Sequence, residues 1–122
     1  MTPSLSVRTE SPAMKTATSA LGPRQLAAFR AQLEQQKSFR LEQLAELRSI
    51  DPENASEVTE VLAAGARIAL DDVLAALYRL YTGSYGWCTD CGDTLPLERL
   101  EVLPQVGQCL VCSRSAAVRA GR

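Results

Sequence analysis

The 122-residue sequence contains no histidine, only 5% aromatic residues and no excess of either charge, its formal net charge being −1 with 22% charged residues. Without imidazole no catalytic triad can be assembled, and no glycine-rich phosphate loop is present, so an enzyme is not expected. The near-neutral charge excludes a general phosphate-backbone binder, which needs a basic surface to displace counterions. Direct sequence-specific DNA binding is therefore not expected. No apolar run approaches the roughly 18 residues of a membrane-spanning helix, and the N-terminus has no run resembling a signal peptide. These absences predict a soluble protein of the reducing cytoplasm. A chain of this size has room for one ordinary domain, or for a small finger plus an accessory element, but not for one large continuous core.

Cysteine is scarce but concentrated: the four copies form two matched pairs, Cys88-Thr-Asp-Cys91 and Cys109-Leu-Val-Cys112. Each C-x2-C places two sulfurs on one tight turn, and two such turns supply four thiolates in the tetrahedral arrangement that zinc accepts without ligand-field cost. Gly92 follows the second thiol, where a knuckle needs positive φ so that backbone N–H groups can point at the sulfurs. Disulfides suit the set poorly in a reducing compartment, and a dithiol redox motif would need a βαβ junction that is missing. Iron also accepts four thiolates, and spacing favours zinc over it. Four protein ligands close the coordination sphere, so the expectation is one structural zinc per chain held by Cys88, Cys91, Cys109 and Cys112.

Before this finger the chain reads as helix. Residues 1–22 are rich in Ser, Thr, Pro and Ala without apolar periodicity, and predict a disordered tail. From Pro23 to Ile50 strong helix formers dominate, with Pro23 in the first turn and no Gly or Pro after it. Leu26, Phe29 and Leu33, then Leu41, Leu44 and Leu47, mark a stripe interrupted by Gln36, Lys37 and Arg40. A second helix runs from about Ser56 to Thr82, with Val58, Val61, Leu62, Ala66, Ala69, Leu70, Val73, Leu77, Leu80 and Tyr81 on or near one stripe. The short link at 51–54 forces the two helices antiparallel. Folding them about it places Leu44 near Leu62 and Leu33 near Val73, and sets the polar gap against Ala63, Ala66 and Ala69, with Gly65 permitting close approach.

At the tip two caps compete: Asp51 followed by Pro52, or Asn54 with Glu57 three residues on. Tyr78, Tyr81, Tyr85 and Trp87, joined by Phe29, predict a small core tying the hairpin base to the finger. Between the knuckles, apolar groups broken by Pro96 and Pro104 suit tight turns or a short helix, and residues 113–122 a frayed helix. The expected fold is thus mainly α: a tail over 1–22, a helical hairpin or coiled coil over 23–83 with its tip near 51–55, a four-cysteine finger over 84–114, and a short tail over 115–122.

The run Gly83-Ser-Tyr-Gly86-Trp-Cys88-Thr-Asp-Cys91-Gly92, then Leu95-Pro96-Leu-Glu-Arg99-Leu100-Glu101-Val-Leu-Pro104, then Cys109-Leu-Val-Cys112 resembles the DksA/TraR zinc-finger family of bacterial transcription regulators. The motifs cover about the last third of the chain, and the hairpin agrees with the family's architecture. The resemblance implies that the four cysteines bind zinc. It also implies that the hairpin enters the secondary channel of RNA polymerase and sets an acidic tip near the catalytic centre, modulating initiation without contacting promoter DNA. The best-known members carry Asp-Pro-x-Asp-x-Ala at the tip, where this chain reads Asp51-Pro52-Glu53-Asn54-Ala55-Ser56. Asn54 keeps the shape of the second aspartate without its charge, unless Glu53 substitutes for it. The expected partner-contact residues are Asp51, Glu53 and Asn54, on a monomer that binds RNA polymerase. The alternative is a zinc-stabilised coiled-coil adaptor for another protein.

Overall fold

In a computed structural model of the protein, residues 21–120 are described. The tail expected over 1–22 lies outside them up to residue 20. Helix α1 (Pro23–Arg48) starts with proline at its first position, where the missing N–H has no intrahelical acceptor to lose, and the Gln25 side chain accepts from the Gly22 N–H at 3.0 Å. Helix α2 (Glu57–Thr82) follows a short turn and packs back along α1 as a hairpin. Both long helices run without a break, and the chain is mainly helical, as its periodicity predicts.

The seam is narrower than the stripes drawn from sequence. On α1 it comprises Phe29, Leu33 and Leu44, all buried, with Gln36, Lys37 and Arg40 half-buried between them. The stems of Lys37 and Arg40 thus lie along the seam, while their charged ends meet Glu34 at 3.4 Å and the Gln43 side chain at 2.9 Å. Leu41 is left half exposed. On α2 the buried positions belong to Ala66, Val73 and Ala76, flanked by Ala63, Ala69, Leu70, Leu77 and Leu80. Val58, Val61 and Leu62 are displaced onto the surface, because the alanines take the positions against α1 and the bulkier residues lie to one side. Leu33 and Val73 do share one buried cluster. Leu62, expected opposite Leu44, is instead 50% exposed. A Cβ added to Gly65 would meet no atom within 4 Å, so this glycine serves no close approach.

The hairpin base and the finger share a single core. Phe29, Leu33, Val73 and Ala76 pack with Tyr85, Cys88, Leu95 and Leu100, and Leu21 and Leu26 close its edge. The rings of Phe29 and Tyr85 lie 5.6 Å apart at 46°, a tilted aromatic pair. Tyr78 and Tyr81, expected in this core, are 66% and 82% exposed, since Leu77 and Leu80 occupy the inward positions of the last helical turns. Two shorter helices complete the finger, α3 (Leu97–Val102) and α4 (Leu110–Ala120). Among the described residues no helix is long and apolar enough to cross a membrane.

Candidate metal centre

The first knuckle is a tight turn closed at both ends. The Cys88 N–H donates to the Asp93 carbonyl at 2.7 Å, the Gly92 N–H donates to the Cys88 carbonyl at 3.0 Å, and Trp87 pairs with Thr94 as an isolated antiparallel bridge. Gly92 has φ +80°, the left-handed value expected after the second thiol. Just before the turn, Gly86 has φ +97°, a left-handed conformation that favours glycine, and a Cβ there would stand 2.9 Å from Leu21 Cδ1, so the tip of that leucine would have to shift. The second knuckle opens α4: Cys109 stands before it, Cys112 lies in its first turn, and the Cys112 N–H donates to Cys109 Sγ at 3.4 Å.

Three contacts bring the knuckles together. The Thr89 N–H donates to the Gly107 carbonyl at 2.7 Å, the Cys109 N–H donates to Cys88 Sγ at 3.4 Å, and the Gln108 side-chain amide donates to Asp90 at 2.7 Å. As a result the four sulfurs of Cys88, Cys91, Cys109 and Cys112 lie within 4.8 Å of one another, with Cys91 and Cys109 3.8 Å apart. A tetrahedron of sulfurs about 2.3 Å from a zinc ion has edges of about 3.8 Å, so the arrangement fits that ion with little adjustment.

The electrostatics point the same way. Burial pushes the Cys88 thiol up, but N–H groups of Cys91, Cys109 and Asp90 overcome this and bring it down to about 6, so a thiolate is favoured there. Cys112 is pushed up, chiefly by the Cys109 sulfur and then by burial. At Cys91 the Asp93 N–H pulls down, yet the Cys88 sulfur and burial together raise it. Four sulfurs this close resist ionising together. A divalent cation at their centre removes the repulsion and stabilises all four thiolates. With four protein donors no position is left for a reactive water, and the ion's contribution is to the fold.

Leading into Cys109, residues 104–108 have no regular structure, yet each of their five carbonyls is hydrogen-bonded, by four groups from outside the segment. Pro104 accepts from the Tyr85 hydroxyl at 2.8 Å; Gln105 and Val106 accept from Arg79 Nη2 at 3.2 and 3.3 Å; Gly107 accepts from Thr89; and Gln108 accepts from Arg99 Nε at 3.3 Å. Burial lowers the pKa of Arg79, with Tyr85 and Asp72 opposing the shift. The expected tip residues sit at the other end of the hairpin. A helix of 26 residues separates them from the finger, a rise of about 39 Å. Asp51, Glu53 and Asn54 are all exposed there, in a turn closed by the Asn54 N–H donating to the Asp51 carbonyl at 2.8 Å. Neither candidate cap acts. Ser56 is the N-cap of α2, its hydroxyl accepting from the Thr59 N–H at 3.2 Å.

Sequence reasoning missed Arg79, Arg99, Gln108 and the Tyr85 hydroxyl. An arginine in a helix reads as solvated surface, and nothing in the spacing marks which carbonyls of an irregular loop will need a donor.

Fold and site together define a helical-hairpin protein carrying a structural four-cysteine zinc finger. Residues 83–116 match the family described as prokaryotic dksA/traR C4-type zinc finger, so the finger is of that type and holds one zinc ion. No curated protein sequence matches the chain. The fold is similar to the transcription factor DksA2 from Pseudomonas aeruginosa, at 23% identity and a TM-score of 0.66 over 88% of this chain and 99% of that one. It is also similar to the RNA polymerase binding protein and transcriptional regulator Dks from Chlamydia trachomatis, at 22% identity and a TM-score of 0.51 over 82% and 95% of the two chains.

Proposed function

We propose that this chain is a cytoplasmic transcription regulator of the DksA type that binds bacterial RNA polymerase through its helical hairpin, without reading DNA. Cys88, Cys91, Cys109 and Cys112 are its zinc ligands, and Asp51, Glu53 and Asn54 form the contact tip. The observation that carries the reading is a hairpin anchored at its base and apolar along its outside. Its base is held in the finger's core, and large side chains stay exposed along its length: Phe39 at 58%, Val58 at 66%, Val61 at 69%, Leu62 at 50% and Ile68 at 63% toward the tip, and Tyr78 and Tyr81 toward the base. Exposed apolar side chains of this number on one hairpin support a protein as the ligand. The near-neutral charge argues against a nucleic-acid ligand, and the Chlamydia protein with the same fold is named for binding polymerase.

The finger and hairpin that dock the molecule are kept while one tip charge is absent, so binding and effect come apart. Changing Asn54→Asp restores a carboxylate at nearly constant volume. It alters transcription output in a purified system while polymerase affinity stays within about tenfold, or ~1.4 kcal/mol. Output unchanged by the substitution would leave the tip without a regulatory role. The neutral residue at position 54 also favours a second reading, an adaptor whose diverged tip serves another protein. A native-lysate pull-down that recovers a different protein and no polymerase subunit supports it.

A further inference from the structure

We propose that Arg79 of the hairpin is a positioning residue for the metal centre: its guanidinium holds the segment that presents Cys109. The inference rests on the finger holding zinc and is independent of polymerase binding. Of the groups that hydrogen-bond the carbonyls of residues 104–108, Tyr85, Thr89 and Arg99 all follow α2 in the chain. Arg79 alone belongs to a hairpin helix, and its Nη2 spans two consecutive carbonyls, Gln105 at 3.2 Å and Val106 at 3.3 Å. The next residue, Gly107, abuts the guanidinium. A Cβ there would stand 3.0 Å from Arg79 Cζ and Nη2 and 3.2 Å from Nη1, so the glycine makes room for this one side chain.

From Gly107 the chain runs to the metal within two residues. The Gly107 carbonyl holds the first knuckle through Thr89, the Gln108 side chain bonds Asp90 beside Cys88, and the Cys109 N–H points at Cys88 Sγ. Fixing residues 105–107 therefore fixes the approach of one knuckle to the other. A charged, planar donor suits the task, since it bridges adjacent carbonyls without having to leave a partner unmet. Groups bonded directly to metal ligands change metal affinity by roughly tenfold to a hundredfold when removed, and Arg79, which acts on Cys109 through residues 105–107, belongs at the lower end of that range.

The test uses the full zinc-loaded chain and measures zinc release to a chromogenic chelator, alongside helicity by circular dichroism. Arg79→Met, which keeps the stem and removes the guanidinium, speeds release roughly tenfold. Arg79→Lys, which keeps the charge without the fork, falls between the two. Arg67→Met, an exposed arginine on the same helix, stays within about twofold of the unaltered chain. Gly107→Ala guards against a variant that fails to fold, because it leaves the hairpin intact and crowds the guanidinium from the other side; it also speeds release. The decisive reading is the double variant: once the guanidinium is gone the added methyl has room, so Gly107→Ala adds little on Arg79→Met. Additive effects in the double variant, or release unchanged in Arg79→Met whatever its helicity, would overturn the proposal.

Discussion

Ser56 and Tyr85 are single residues on which much depends. Ser56 supplies the side-chain cap of α2, so Ser56→Ala lowers unfolding free energy by about 1 kcal/mol in denaturant titrations. Asn54→Ala, in the exposed turn just before it, changes stability by less than about 0.5 kcal/mol. A larger loss at Asn54 than at Ser56 would show that the cap has been assigned to the wrong residue. Tyr85 is buried and its hydroxyl bonds the Pro104 carbonyl, so Tyr85→Phe leaves that carbonyl unpaired and costs about 1–3 kcal/mol. The phenol also carries a pH signature. Burial, partly offset by Arg79, pushes its pKa up from 10.0 to about 12. The unfolded chain then loses the proton first, so the tyrosine's contribution to stability is intact below pH 10.0 and declines as pH rises toward about 12. Stability of Tyr85→Phe falls less over that window; identical slopes for the two proteins would rule the linkage out.

At the level of elements, the finger and the hairpin base are one cooperative unit, because Cys88, Leu95 and Leu100 share their core with Phe29, Leu33 and Val73. Structural zinc contributes on the order of 10–16 kcal/mol of apparent binding free energy in isolated fingers, more than so small an apolar cluster replaces. Chelating the metal under reducing conditions, or changing Cys109→Ser, therefore removes hydrogen-exchange protection from the finger and from α2 near Val73 to Leu80. The distal hairpin keeps most of its helicity. Protection lost in the finger alone would show that the two elements do not share a core. The helices, the short link between them and the cysteine pairs were legible in the sequence because each follows a local rule of propensity, periodicity or ligand spacing. The seam was less legible. Ala63, Ala66 and Ala69 were expected against α1 and are buried or half-buried, but Ala76, fully buried, carries little hydrophobic signal and was not expected, while Val58, Val61 and Tyr81 read as core and are exposed. The captured carbonyls of residues 104–108 left no sequence signal, since any polar side chain can reach an irregular loop once the fold has brought it near.

For the whole molecule the fold separates two tasks along its length. Zinc and the shared core hold one end rigid, and the other end presents an exposed turn with Asp51, Glu53 and Asn54 beside an uncovered apolar surface. Such a shape places a small set of side chains about 39 Å from the body that supports them. The central claim is that this partner is RNA polymerase, and direct titration of the zinc-loaded, fluorescently labelled chain with purified bacterial core polymerase tests it most directly. The account predicts saturable binding at micromolar concentration or tighter. It also predicts that Val61→Asp, which sets a charge on the exposed apolar surface without touching the finger, weakens binding by at least about tenfold, or ~1.4 kcal/mol. Absence of saturation at high micromolar polymerase, or binding that Val61→Asp leaves unchanged, would contradict it.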